Sequence, residues 1–370
     1  KQAQEFKEIQ ARYPGKLVAL AECGTNIDNN TATAGIDEAW NAGAKWSFFM
    51  PWYGGNMPSN SWWKAALSSK NVITRDQVNL NANYVEESAV DAVKNMGIGT
   101  NFGNCTDVVA MWMNMNSNSV TDFEKAWGQV PTTKPMVDFL KQNGFNSVRI
   151  PVTWFQHMKA DGTVDEAWMN RIQEIVDYII DNGMYCILNV HHDTGADSDD
   201  VKHWIKADEA NYNENKEKFE YLWTQIATRF KNYDHHLVFE GYNEMLDANN
   251  TWNAPKDASS YKGLNGYAQS FVNAVRATGG NNATRNLIVN TYAAACGNDV
   301  LNNLTIPTDK VEGHIAVEVH TYSPWDWFAK GKWDASCSKE IADMFTRLNS
   351  KFISKGIPCI IGEYGTHGSK

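Results

Sequence analysis

From about residue 97 onward, short apolar runs alternate with stretches of helical periodicity. Seven runs are bounded by Gly, Asn or Pro, and they span residues 98–104, 145–152, 184–192, 236–244, 285–292, 314–322 and 357–365. A short continuous apolar run is typical of a strand buried on both faces. In one intervening segment, Trp168, Ile172 and Ile179 fall on one face of a helix. Strict alternation of strand and helix predicts a parallel sheet.

Polar side chains recur where these predicted strands end. They are Asn104, His191, His192, Asn243, Glu244, Tyr292, His320, Tyr322 and Glu363. In a (β/α)8 barrel, the carboxyl ends of the strands form the active-site face. A doubly wound sheet would instead require a glycine-rich phosphate turn, and residues 98–104 match that motif weakly. The pattern therefore predicts an α/β fold of the TIM-barrel type.

The predicted barrel is short by one strand–helix unit at its C-terminal end, because the strand spacing would place an eighth strand beyond Lys370. The first 80 residues also alternate between helix and strand, with strands at 16–23 and 44–53. Two arrangements are open. Residues 44–53 could complete the barrel, with Trp46 or Trp52 near the cleft, or the segment could form a separate lobe. We favour the first, since open sheet edges are costly.

The amino-acid composition argues against some classes of function and favours others. Lys and Arg number 33 against 43 Asp and Glu, and the net charge of −10 argues against a nucleic-acid partner. No apolar run reaches the roughly 18 residues of a membrane-spanning helix. The six cysteines form no C-x-x-C pair, which favours isolated thiols over a metal or redox site. The 15 Trp fit an open cleft whose aromatic faces stack on sugars, besides filling the core.

Glu244 and Glu363 are the strongest candidates for catalysis. Each ends a buried strand, where a carboxylate without a partner is costly. Two carboxylates that converge at a barrel mouth suit glycoside hydrolysis, with one as acid/base and the other as nucleophile. Arg149 and Tyr322 can donate to the nucleophile and keep it ionised, and Asn243 can bind a substrate hydroxyl.

The histidines are predicted to contact substrate. His191, His192 and His320 can donate to sugar hydroxyls or orient the carboxylates. Because His191 and His192 are adjacent, we expect their side chains on opposite faces of a strand. No H-E-x-x-H spacing occurs, so neither a metal nor another cofactor is predicted.

Six motifs resemble glycoside hydrolase family 5. They are IGTNFGN (98–104), the run 127–154, NVHHD (189–193), FEGYNE (239–244), VHTYSPW (319–325) and IIGEYG (360–365). The run 127–154 and the segment 168–193 further resemble endoglucanases that act on xyloglucan and mixed-linkage glucan. The resemblance implies retaining hydrolysis of a β-1,4-glucan, with Glu244 as acid/base and Glu363 as nucleophile. The two carboxyl groups would then lie about 5–5.5 Å apart.

The resemblance also implies a substrate-binding shell. Its members are Arg149, His191, Asn243, His320 and Tyr322, then His192 and Asn104, with Trp154, Trp204 and Trp325 as sugar platforms. The implied partner is a polysaccharide that cannot enter a cell, so we expect a secreted or cell-surface protein; the oligomeric state stays open. Two alternatives are a β-mannanase and a catalytically impaired carbohydrate-binding barrel, and a missing eighth strand would favour the second.

The N-terminal segment resembles the C-terminal part of a family 26 β-mannanase. The matching stretches are 16–24, 39–55, 62–69 and 71–77. This implies a family 26 fragment over residues 1–85 and a family 5 barrel over residues 86–370. Glu22 falls at the family 26 nucleophile position. The acid/base of that family lies upstream of the matching stretches, so we expect Glu22 to lack its partner.

Overall fold

The computed structural model describes residues 2–13, 18–23, 37, 39–47, 49–51, 64, 66–72, 86–324 and 333–365. Two compact units are present, residues 1–80 and 81–370. The first unit contains helix α1 (Gln2–Arg12) and a parallel sheet of β1 (Leu20–Cys23) and β2 (Phe49–Pro51).

The first unit begins with a helix, and a short strand lies within each predicted range, Leu20–Cys23 within 16–23 and Phe49–Pro51 within 44–53. Strand β2 pairs with β1, so the described part of 44–53 has a strand partner within its own unit. Trp46 packs edge-on against Phe6 in a small apolar cluster. The side chain of Glu22 and all of Trp52 lie outside the described residues, and completion of the barrel by 44–53 stays a prediction.

Seven parallel strands of the second unit form one sheet, in chain order. They are β3 (Gly99–Asn101), β4 (Ser147–Ile150), β5 (Tyr185–Asn189), β6 (Leu237–Glu240), β7 (Leu287–Asn290), β8 (Ile315–Thr321) and β9 (Cys359–Tyr364). The helices are α2 (Ala89–Met96), α3 (Val120–Lys125), α4 (Lys134–Gln142), α5 (Glu166–Ile180), α6 (Glu209–Phe230), α7 (Ala258–Ala277), α8 (Asn298–Asn303) and α9 (Ala335–Lys351). The predicted strands and the TIM-barrel class are confirmed, as a nearly closed barrel.

Several of the barrel helices begin at aspartates that the sequence provides. The side chains of Asp165, Asp208 and Asp257 accept hydrogen bonds from backbone N–H groups in the first turns of α5, α6 and α7. Such caps satisfy donors that have no partner within the helix. Behind the caps, Trp168 of α5 and Trp223 of α6 are fully buried in the main core. The apolar helix faces therefore cover the outside of the strands, as the helical periodicity predicts.

Inside the barrel, inward-facing positions change from apolar to polar toward the carboxyl ends of the strands. An apolar cluster covered by α2 includes Tyr185, Ile187, Val238, Ile288 and Ala316. Two residues after the last four come Asn189, Glu240, Asn290 and Glu318, all fully buried. Since side chains alternate between faces along a strand, these four lie on the inner face, one layer nearer the mouth.

Strands β3 and β9 stand at the two ends of this sheet. The side-chain amide of Asn101 in β3 donates to the backbone oxygen of Gly362 in β9, at 2.9 Å. A cavity of about 630 Å³ opens beside them, and its lining includes Ile98 and Ile360. Among the described residues, the barrel sheet is thus one strand short of eight, as predicted.

Two further sequence expectations concern the membrane and the thiols. No described helix has both the length and the apolar character needed to cross a bilayer. Cys105, Cys186, Cys296 and Cys359 are free thiols, and Cys105, Cys186 and Cys337 are buried.

Candidate active site

A polar cleft of about 320 Å³ lies at the carboxyl ends of the strands. Eight predicted site residues line it: Asn104, Arg149, His191, His192, Asn243, Glu244, Tyr322 and Glu363. His320 contacts the cleft through Glu244. The strand ends therefore bring together residues that lie far apart in the sequence, as expected for a barrel mouth.

An irregular register between β8 and β9 turns Glu363 into this cleft. Val319 pairs with Ile361, but the next residue, His320, pairs with Glu363, so Gly362 is passed over. Strict alternation would place Glu363 on the face opposite to Gly362. The extra residue re-aims the side chain, which is a common use of bulges next to functional sites.

Glu363 is held as a carboxylate by donors on both oxygens. Nη1 of Arg149 donates to Oε1 and the hydroxyl of Tyr322 donates to Oε2, each at 2.9 Å. Burial alone would raise the pKa of Glu363. The charges of His320 and Arg149, with the hydrogen bonds from Tyr322 and Arg149, outweigh burial and lower the pKa below its ordinary value. The predicted partnership of Arg149 and Tyr322 with this carboxylate is present.

Glu244 follows β6 and faces Glu363 across the cleft. Its Oε1 lies 2.8 Å from Nδ1 of His320. One carboxylate oxygen of Glu244 lies within 4.8 Å of one oxygen of Glu363. Each carboxylate keeps about a fifth of its side chain exposed, at 21% for Glu244 and 22% for Glu363. Both groups are thus close together and open to a ligand.

Arg149 is the buried cation that links the cleft to the barrel interior. Its Nε and Nη2 donate to the two oxygens of Glu240, at 2.7 and 2.8 Å, and Nη2 also donates to Oδ1 of Asn243 at 2.8 Å. Burial would lower the pKa of Arg149, but the charges of Glu240 and Glu318 raise it well above its ordinary value. The contact to Asn243 fixes that side chain with its oxygen toward Arg149.

His191 is a neutral donor beside Glu363. The amide nitrogen of Asn189 lies 3.0 Å from Nδ1 of His191, so Nδ1 accepts and Nε2 carries the proton. Burial, then the charges of His192 and Arg149, lower the pKa of His191 well below its usual range. Its Nε2 lies 4.0 Å from Oε1 of Glu363.

His192 lies on the same side of the cleft as His191, which corrects the expectation of opposite faces. The two rings are 4.6 Å apart, and both line the cleft. The alternation rule does not apply, because β5 ends at Asn189. The ring of Trp127 lies edge-on to His192 at 5.7 Å and is 38% exposed.

The three predicted tryptophan platforms have different outcomes. Trp154 is fully buried and its indole N–H donates to the backbone oxygen of Asn189, so it offers no face to a sugar and this prediction is wrong. Trp204 is partly buried, its indole N–H donates to Asp193, and the ammonium of Lys218 lies 4.0 Å from its ring centre. One face of Trp204 is therefore occupied, and its role stays a prediction. Trp325 lies outside the described residues.

Three groups of described side chains bring possible metal ligands within 4.8 Å of one another. They are Asp107–His191–His192, Asp234–His235–His236 and Glu244–His320–Glu363. The third group is the paired carboxylate site itself. In the first group, burial and the charge of His203 lower the pKa of His192 to about 4, so the imidazole is neutral and able to ligate. The absence of a metal stays a prediction.

Several contributors to the site were missed in the sequence. Glu240 and Glu318 are fully buried beneath the cleft, and Asp107 and Trp127 lie beside His192. An acidic residue inside an apolar strand, as in LVFE and AVEV, is a signal that would have identified the two glutamates. Asp107 and Trp127 lie on loops, where no periodic pattern marks a functional side chain.

Comparison with known proteins agrees with this geometry. Residues 104–370 match the model of the cellulase family, glycosyl hydrolase family 5. The chain belongs to glycosyl hydrolase family 5. Endoglucanase 1 of Ruminococcus albus is 38% identical over 298 residues, which are 78% of this chain and 68% of that protein. Cellulase/esterase CelE of Acetivibrio thermocellus is also 38% identical, but the match spans only 32% of that longer protein.

Solved structures from Prevotella bryantii extend the family 5 likeness. The endo-β-mannanase/endo-β-glucanase PbGH26A-GH5A is 54% identical with a TM-score of 0.74, and the match covers all of this chain and 52% of that one. PbGH5A in complex with a xyloglucan tetradecasaccharide is 56% identical with a TM-score of 0.73, covering 77% of this chain and 80% of that one. The match over the whole chain agrees with the family 26 likeness of the N-terminal segment, so both resemblances seen in the sequence are confirmed.

Proposed function

We propose that this family 5 protein is a retaining endo-β-1,4-glucanase that hydrolyses xyloglucan, cellulose-type or mixed-linkage glucans. The observation that carries the proposal is the pair Glu244 and Glu363, with oxygens within 4.8 Å of each other at one barrel mouth. Retaining glycosidases have carboxyl groups about 5–5.5 Å apart, whereas inverting enzymes need about 6.5–9.5 Å to admit a water. The short separation supports the retaining mechanism.

The first step uses the charged state of Glu363. Its carboxylate attacks the anomeric carbon while the bond to the leaving sugar oxygen breaks, and a covalent glycosyl–enzyme ester forms. Glu244 donates a proton to that leaving oxygen. The donors Arg149 and Tyr322 keep Glu363 ionised before the attack, and their hydrogen bonds weaken as the carboxylate loses its negative charge in the ester.

The second step reverses these roles. Glu244, now a carboxylate, takes a proton from a water molecule that attacks the anomeric carbon. The ester bond breaks, Glu363 leaves as a carboxylate and Glu244 is protonated again. Asn243 and the neutral imidazoles of His191 and His192 are placed to hold sugar hydroxyls during both steps.

The substrate class is supported by the named relatives and by the cleft. One named relative is an endoglucanase, another is a cellulase/esterase, and one solved neighbour holds a xyloglucan oligosaccharide. The cleft has many hydrogen-bonding groups and an exposed aromatic ring, Trp127, at His192, which is a surface that suits sugars. Since such polymers do not enter cells, we also propose that the protein acts outside the cell or on its surface.

Glu363→Ala and Glu244→Gln test the assignment. We expect each variant to lose nearly all turnover on soluble xyloglucan while retaining oligosaccharide binding, measured by calorimetry. The first product released by the wild type, observed by proton NMR, is expected to have the β configuration. Wild-type rates in Glu363→Ala, or an α product, would contradict the mechanism.

Two other functions remain as alternatives. A β-mannanase is favoured by the likeness of the N-terminal segment to a mannanase module. A carbohydrate-binding barrel without activity is favoured by the sheet, which has seven described strands. Reducing-sugar release from xyloglucan, carboxymethylcellulose, lichenan and mannan separates all three: activity on mannan alone supports the first, and binding without release supports the second.

A further inference from the structure

Glu318 is a buried carboxylate to which the steps above give no role. It lies in β8 with none of its surface exposed. Its Oε1 is 3.2 Å from Nε2 of His320 and 3.3 Å from Nε of Arg149. Its Oε2 has no hydrogen-bond partner among the described residues. Burying a carboxylate costs several kcal/mol before its partners compensate, so a glutamate here requires an explanation.

The backbone brings this carboxylate close to both reacting groups. His320 follows Glu318 by two residues, so the two side chains share the inner face of β8. A Cβ atom at Gly362 would lie 1.9 Å from Oε1 of Glu318, so only glycine leaves room for the carboxylate. Gly362 directly precedes Glu363. Glu318 therefore lies beneath His320 and against the backbone that carries Glu363.

The contact determines which atoms of His320 carry protons. A carboxylate beside Nε2 accepts a hydrogen bond from the Nε2–H group, so Nε2 keeps its proton and Nδ1 faces Oε1 of Glu244 at 2.8 Å. The same logic holds where an aspartate orients a catalytic histidine. The titratable and charged groups around His320 are Glu244, Glu318, Glu363, Arg149 and His191. Burial lowers the pKa of His320, but hydrogen bonds to Glu244 and Glu318 raise it to about 9.

We propose that Glu318 is a positioning residue that orients and charges His320, so that Nδ1 of His320 shares one proton with Glu244. This inference rests on the hydrolytic function proposed above. In the first step the pair of Glu244 and His320 gives this proton to the leaving sugar oxygen. In the second step the pair regains one from the attacking water. Glu318 neither gains nor loses a proton in either step.

Glu318→Gln tests the proposal, because glutamine keeps the size and can still accept from Nε2 but has no charge. Without the anion, the pair of Glu244 and His320 holds its proton less tightly and loses it at lower pH. We expect the alkaline limb of the kcat/KM profile on soluble xyloglucan to move down by about one pH unit. An unmoved alkaline limb in an active, folded variant would overturn the proposal.

Glu240→Gln is the matched control. Glu240 is equally buried and also bonded to Arg149, but its side-chain hydrogen bonds are to Arg149, Asn189 and Asn290. We expect it to move the alkaline limb by less than half as much as Glu318→Gln. An equal shift in both variants would mean that any buried negative charge suffices, and the specific role of Glu318 would be refuted.

A measurement on the wild type keeps the proposal testable if Glu318→Gln does not fold. In a protein with 15N-labelled histidine, Nε2 of His320 is expected to stay protonated throughout the titration while Nδ1 alone titrates. A neutral His320 with its proton on Nδ1 would overturn the proposal. If the wild type hydrolyses no glycan, the proposed function fails instead, whatever the NMR titration shows.

Discussion

Tyr322 donates one of the two hydrogen bonds on the carboxylate of Glu363, and it is the more exposed donor. Its ring lies at the surface of the cleft, whereas Arg149 is buried beneath it. A hydrogen bond to a charged group contributes about 1.5–3 kcal/mol, so one hydroxyl has a measurable effect on the ionisation of Glu363.

Tyr322→Phe removes this donor and leaves the ring. Because the bond favours the ionised form, its loss raises the pKa of Glu363, and a higher pH is then needed to form the carboxylate. We expect the acidic limb of the kcat/KM profile to move up by about one pH unit, while Glu363 stays ionised at neutral pH. Tyr364→Phe is the control, since Tyr364 lines the same cleft but is 67% exposed. Equal profiles for the two variants would contradict the role of Tyr322.

Among individual residues, the sequence predicted the polar side chains at the strand ends better than the buried ones beneath the cleft, such as Glu240 and Glu318. Glu244 and Glu363 stand out because ionisable residues follow apolar runs, and parallel strands gather such ends at one face. Trp154 shows the limit: whether a tryptophan near a strand end packs inward or faces the cleft depends on tertiary contacts. The orientation of Glu363 likewise depends on a register irregularity, which no residue pattern reveals.

The short helix Phe155–His157 places an ionisable ring inside the core. His157 stacks on Trp168 of α5 at 3.6 Å and meets Phe123 of α3 edge-on at 4.6 Å. Burial lowers the pKa of His157 from 6.5 to about 3. The unfolded chain therefore binds this proton more strongly than the folded one, and stability falls as the pH drops from about 6.5 toward 3.

His157→Phe is expected to reduce this acid sensitivity while keeping the aromatic stack. At pH 4.5 the histidine lowers the free energy of unfolding by about 2–3 kcal/mol relative to neutral pH. Urea unfolding at pH 7.5 and pH 4.5 measures the difference for both proteins. The same loss of stability in wild type and variant would show that other groups cause the acid sensitivity.

The sequence predicted the order of strands and helices because the two leave different patterns. Strands appear as short continuous apolar runs, and helices as apolar positions that recur on one helix face. The apolar runs bounded by Gly, Asn or Pro all became strands, although the strands are shorter than the runs: 236–244 became Leu237–Glu240. Most of the polar ends of such runs belong to loops that continue into the cleft, whereas His320 and Glu363 lie within β8 and β9. Loop positions such as Asp107 and Trp127 depend on packing across the mouth, so local sequence did not predict them.

Over the whole molecule, the net charge of −10 predicts how ionic strength affects different substrates. A neutral glucan meets no long-range field, whereas carboxymethylcellulose is an anion and is repelled by an acidic protein. Raising NaCl from about 20 to about 200 mM shortens the range of that repulsion severalfold. We expect kcat/KM to rise about two- to threefold for carboxymethylcellulose and to stay nearly constant for xyloglucan. A parallel change for both would contradict the electrostatic explanation.

Arg149 donates hydrogen bonds to several side chains at once, which restricts the substitutions that this barrel tolerates. One guanidinium holds Glu240 and Asn243 at the end of β6, and Glu363 in β9. A single replacement of Arg149 would leave several buried groups unpaired at once, and no single second replacement could repair all of them. The polar interior therefore tolerates single replacements poorly, whereas loop positions at the mouth that make none of these contacts can change without disturbing it.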